Sequence, residues 1–127
     1  MHADISCLKT LSGRVIGCAF TAINALGSGF LEKVYENALA LELRAAGLSV
    51  AQQQPLRVIY RDTVIGDYVV DLLVENQLLV KLKTAKALDD AHRLQCVNSL
   101  KATHLHLCLL LNFGKPKLEI RRIAHSL

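Results

Sequence analysis

The chain has 127 residues, 52% of them hydrophobic and 20% charged, with only 7 Gly and 2 Pro. That length predicts a single domain over residues 1–127 with a continuous core, and it excludes a two-domain enzyme. The composition excludes disordered, collagen-like and low-complexity chains. The net charge of +4 is unevenly placed: from Lys81 onward nine Lys/Arg face three acids, a surplus of +6, whereas the first eighty residues sum to −2. A basic half can attract phosphate, although such an imbalance is more commonly a solvated face.

Cys7, Cys18, Cys96 and Cys108 stand far apart, with no CxxC and no Cys/His spacing suited to zinc. They are expected to be reduced, buried thiols of a cytoplasmic protein. Neither a secretory signal nor an apolar run of about 18 residues occurs, so no membrane association is expected.

In chain order, Ser12 is the expected N-cap of a first helix, with Leu11 flanking it. Val15, Ile16, Ala19, Phe20, Ile23 and Leu26 form its apolar stripe, and Gly27 ends it. After Gly27-Ser28-Gly29 an Ala/Leu/Glu-rich helix runs to Gly47, the expected left-handed closing residue. The period then changes to strands at about 49–60, 64–74 and 78–83, joined by turns at Arg61-Asp62 and Glu75-Asn76-Gln77. Asp89-Asp90 opens a helix to about Ala102; the strand Leu105–Leu111, a Gly114-Lys115-Pro116 turn and a strand near 118–124 complete the order ααβββαββ. The predicted class is α/β, a mixed central β-sheet flanked by helices.

Several residues could carry chemistry. Alternation places Asp67, Val69, Asp71 and Leu73 on one face of the second strand and Tyr68, Val70 and Leu72 on the other. Asp71, inside VVDLLV, needs a cation partner, and either a salt bridge or a metal would supply one. Lys81 and Lys83 project to one face of the third strand, as expected of a charged sheet edge or of a functional pair. Glu32 begins the second helix, where the helix dipole favours it without any catalytic role. His104 and His106 are expected on one strand face, Cys96 and Cys108 in the core.

The segment GSGFLEKVYENAL holds Gly29-x-x-Glu32-x-x-Tyr35. It follows GRVIGCAF and precedes DYVVDLLVENQLLVKLK and SLKATHLHLCLLLNFG. In this ordered set, from about Leu11 to Ile123, the chain resembles the GxxExxY protein family, placed by similarity in the PD-(D/E)XK nuclease superfamily. The resemblance implies a restriction-endonuclease-like fold, an αβββαβ core with an extra N-terminal helix and a C-terminal strand. It implies a site built from Asp71, Glu32, Lys83 and Gln95, with Asp71 and Glu32 as ligands of Mg²⁺ or Mn²⁺, and DNA or RNA as partner.

The departures from the family pattern fall inside that site. Lys81 stands where the family reads Glu, Ser99 where one branch of the superfamily has Tyr, and Ile23 where the family commonly has His. A cation in place of a ligand implies an eroded metal site, Lys81 pairing instead with Asp71 or Glu32, and weak or absent phosphodiesterase activity. Glu36, one turn beyond Glu32, is the nearest replacement carboxylate; Asp67, about 13 Å along the strand from Asp71, is too distant. The alternative is a non-catalytic interaction module, with the high apolar fraction burying an interface between copies.

Overall fold

A computed structural model describes residues 5–125. The elements are α1 (Ile5–Leu26), α2 (Glu32–Ala45), β1 (Val50–Tyr60), β2 (Thr63–Val74), β3 (Leu78–Lys83), α3 (Asp90–Thr103), β4 (Leu107–Asn112) and β5 (Glu119–Ala124), in the expected order. They build one mixed sheet, β1-β2-β3-β4-β5, antiparallel throughout except for the β3–β4 pair that α3 connects. Alternation along the central strands feeds two cores. Leu78, Val80 and Leu82 of β3 and Leu107, Leu109 and Leu111 of β4 pack under α1 and α2, whereas Leu79, Cys108 and Leu110 pack under α3.

Local chemistry sets the element ends. Gly47 (φ 83°) closes α2 with paired bonds, its own N–H to Arg44 O and that of Leu48 to Leu43 O. Asp89 caps α3 reciprocally: its Oδ1 accepts the His92 N–H, and His92 Nδ1 accepts the Asp89 N–H. Both hairpin turns use two left-handed residues, Arg61-Asp62 and Glu75-Asn76, which suits the twist of antiparallel strands. No helix among the described residues is long and apolar enough to cross a membrane.

Four expectations are corrected. Ser12 does not cap α1, which already begins at Ile5. Leu8 and Leu11 extend the buried stripe, and the Ser12 hydroxyl is satisfied within the helix by donating to Lys9 O while accepting from Arg122 Nε. Lys81 and Lys83 are not edge residues: β3 is the middle strand of five, and both lysines are half-buried. His104 and His106 share no strand face, because α3 extends to Thr103 and His104 (φ 59°) ends it in the left-handed region. Only Cys96 and Cys108 are buried; Cys7 is exposed and Cys18 half-exposed on α1.

Candidate functional site

The GxxExxY segment is a device for presenting Glu32. Gly29 adopts φ 111°, a conformation strained for any side chain, and the turn it makes is clasped by Tyr35 one helical turn into α2. The Tyr35 hydroxyl donates to Gly27 O and accepts from the Phe30 N–H, while its ring stacks on Phe113 at 4.8 Å. Glu32, the first residue of α2, is thereby held within electrostatic reach of Asp71 on β2 and Lys83 on β3. Tyr35→Phe removes both hydroxyl bonds of a buried side chain, to Gly27 O and from the Phe30 N–H, so a stability loss of about 1 kcal/mol is expected in urea unfolding, with the ring stack retained.

Asp71 stands where the sheet forks. β2 pairs with β3 only from Leu72 to Val74, so the next rung, which would set Asp71 against Lys81, does not form. Instead the Asp71 carboxylate reaches across the gap, its Oδ2 accepting the Leu82 N–H at 2.7 Å. On the other side the rung between Asp71 and Gln53 is also missing, because Gln53 takes φ 54°. Beyond this point β1 and β2 continue as a two-stranded ribbon. The simple alternation expected for β2 breaks here: Leu72 and Val74 belong to the core under α1 and α2, but Val70 belongs to the core under α3.

What turns Gln53 is Glu36. This carboxylate is 3% exposed and fully engaged, Oε1 accepting from Gln53 Nε2 at 2.6 Å and Oε2 from Gln52 Nε2 and Lys33 Nζ. It is therefore no spare metal ligand but the clamp that shapes the fork. Sequence reasoning missed Gln52 and Gln53; the only trace of them is a run of three glutamines in an otherwise strand-like segment.

Around the fork the structure gathers Glu32, Asp71, Lys83 and Lys81 within electrostatic reach. Partial burial, then the Asp71 charge, pushes the Glu32 carboxyl above its ordinary range, while Lys83 and more weakly Lys81 pull it down. The expected Lys81 ion pair with Asp71 or Glu32 is not made among the described residues, whose ion pairs lie elsewhere. The reason is geometric. Asp71 is turned onto the Leu82 amide, and Lys81 lies instead along a cleft of about 750 Å³ between the ribbon and α3.

Gln95 and Ser99 line the same cleft, so the structure does bring Gln95 to Lys81. Ser99, in place of the tyrosine, is buried and donates to Gln95 O at 2.9 Å. Arg57 and Lys101 join them from the ribbon and the far end of α3. Arg121 and Arg122 do not, since β5 forms the opposite edge of the sheet. Ile23, at the family's histidine position, is a core residue whose carbonyl accepts the Gly27 N–H.

The donor set does not fit a divalent cation. Two carboxylates, Glu32 and Asp71, are matched by two ammonium groups, Lys81 and Lys83, which leaves no net negative charge to hold a hard dication. One Asp71 oxygen is already bonded to backbone, and no group of three His, Cys, Asp or Glu suited to a metal occurs among the described residues.

No curated protein and no solved structure matches the chain. The sequence profile of the PD-(D/E)XK nuclease superfamily matches residues 9–123, a span that holds the forked sheet and the complete Glu32–Asp71–Lys83 cluster. The chain therefore belongs to the PD-(D/E)XK nuclease superfamily.

Proposed function

We propose that this is a GxxExxY-type member that binds the phosphodiester backbone of nucleic acid at the fork without a metal and with little or no cleavage. One observation carries the reading: at the position of the family's acidic ligand, Lys81 lines a cleft with Arg57 and Lys101 and with no acidic residue among its described walls. A nuclease must hold its substrate's phosphates as well as its metal. Reversing the sign at position 81 removes the second capacity and strengthens the first.

The test is oligonucleotide binding in excess EDTA. The expected result is metal-independent binding that falls with salt, and Lys81→Ala lowers both the affinity, by about threefold or more, and the salt slope, by about 0.7 for a single strand. No cleavage is expected on adding Mg²⁺ or Mn²⁺. Binding that requires the metal, or cleavage abolished by Asp71→Ala, would overturn the reading. A second reading, an interaction module between copies of this chain, is favoured by the exposed Ile59, Val64, Ile65 and Val69 of the ribbon. It is the outcome if the protein sediments as a dimer and ignores nucleic acid.

A further inference from the structure

We propose that the cleft between the ribbon and α3 takes an unpaired nucleotide, its base stacked on Tyr68 and its flanking phosphates on Lys81 and Lys101. This deepens the phosphodiester-binding reading and rests on it, but it names the strand form, which that reading leaves open. Tyr68 stands on β2 opposite Leu56, lines the cleft, and is 61% exposed, so most of the side chain is open to solvent. An exposed ring beside two lysines is the pairing that single-strand sites use: the cations follow the backbone while an aromatic face accepts any base.

Two physical points select an unpaired base over a duplex. Within a double helix the faces of each base are covered by its neighbours, so a stacking platform gains nothing until a base is freed. The cleft, at about 750 Å³, is also of the size that encloses small ligands. It can admit nucleotides one after another but not the girth of a double helix. Asn98 and Gln95, both on the α3 wall, supply amide donors and acceptors for a base edge or a sugar hydroxyl. A negatively charged wall would oppose a phosphate, and none of the described cleft residues is acidic.

The experiment measures fluorescence anisotropy of labelled oligonucleotides about twelve nucleotides long: single-stranded DNA, single-stranded RNA and the matching DNA duplex, in EDTA. The expected result is preference for single strands over duplex by about tenfold. Tyr68→Ala should remove that preference by weakening single-strand binding about tenfold, and Tyr68→Phe should keep it within about twofold. The two single strands report whether the sugar hydroxyl is read. Equal binding of duplex and single strands, or an unchanged preference in Tyr68→Ala, overturns this proposal while leaving phosphodiester binding intact. Failure of wild type to bind any of the three overturns both. Far-UV circular dichroism of the exposed-site variants verifies that they fold.

Discussion

Replacing Gly114 by alanine is expected to lower the melting temperature by about 10 °C, corresponding to about 3 kcal/mol in a chain of this length. A Cβ at this position would meet the Ala85 carbonyl oxygen at 2.5 Å and the Ala85 nitrogen and Thr84 carbonyl carbon at 2.6 Å. All three are backbone atoms, so no side chain can swing away. The backbone itself cannot yield cheaply either. Fully buried Asn112 grips Ala85 from both sides, Oδ1 accepting its N–H and Nδ2 donating to its C=O, and the Phe113 N–H is bonded to Lys83 O. Overpacking such a contact costs on the order of 1–3 kcal/mol, and here the lost Asn112 bonds add to it. Gly13→Ala is the control. It lies inside α1 with nothing within 4 Å of its added Cβ, so alanine there should raise stability by about 0.5–1 kcal/mol. Thermal denaturation of both variants distinguishes the two; equal shifts would show that the close approach at Gly114 is not limiting.

The element types were legible because each depends on local period and on residues adjacent in sequence: Gly47 after α2, Asp89 before α3, Arg61-Asp62 between β1 and β2. What was not legible depends on contacts between distant segments. A charged pair on an apolar strand is ambiguous until the strand order is known, and only the placement of β3 between β2 and β4 separates Lys81 and Lys83 from an edge. The fork is a second case. No local rule turns Gln53 left-handed; the buried Glu36 carboxylate, on another element, does so by accepting from both glutamines. Lys101 lines the same cleft as Lys81 only because the ribbon folds toward α3, and nothing in its sequence neighbourhood marks it. Glu32, Asp71 and Lys83 lie on three different elements, and only a family pattern, which encodes the long-range geometry that periodicity lacks, could nominate them together.

Lys81→Glu is expected to create metal affinity that the natural protein lacks. The substitution changes the balance of Glu32, Asp71, Lys81 and Lys83 from two charges of each sign to three negative and one positive, across the open gap from Asp71. A unit pair about 4 Å apart interacts by about 1 kcal/mol even at the dielectric constant of water. Doubling for a divalent ion, and again because the sign is reversed, gives a change of about 4 kcal/mol, or roughly a thousandfold in affinity. Calorimetric titration with Mn²⁺ should therefore show no heat of binding for the natural protein and a single site for Lys81→Glu. Adding Asp71→Asn to that variant should remove the site, since the introduced carboxylate and Glu32 hold no hard cation against the remaining Lys83 once the central ligand is neutral. The Lys81→Glu variant should also lose affinity for oligonucleotides in EDTA, because the same charge that attracts the cation repels phosphate. Opposite shifts in the two affinities are what distinguish a site converted from metal to phosphate from a surface lysine with no role. Unchanged oligonucleotide binding, or equal Mn²⁺ binding before and after the substitution, would leave Lys81 with no part in the fork.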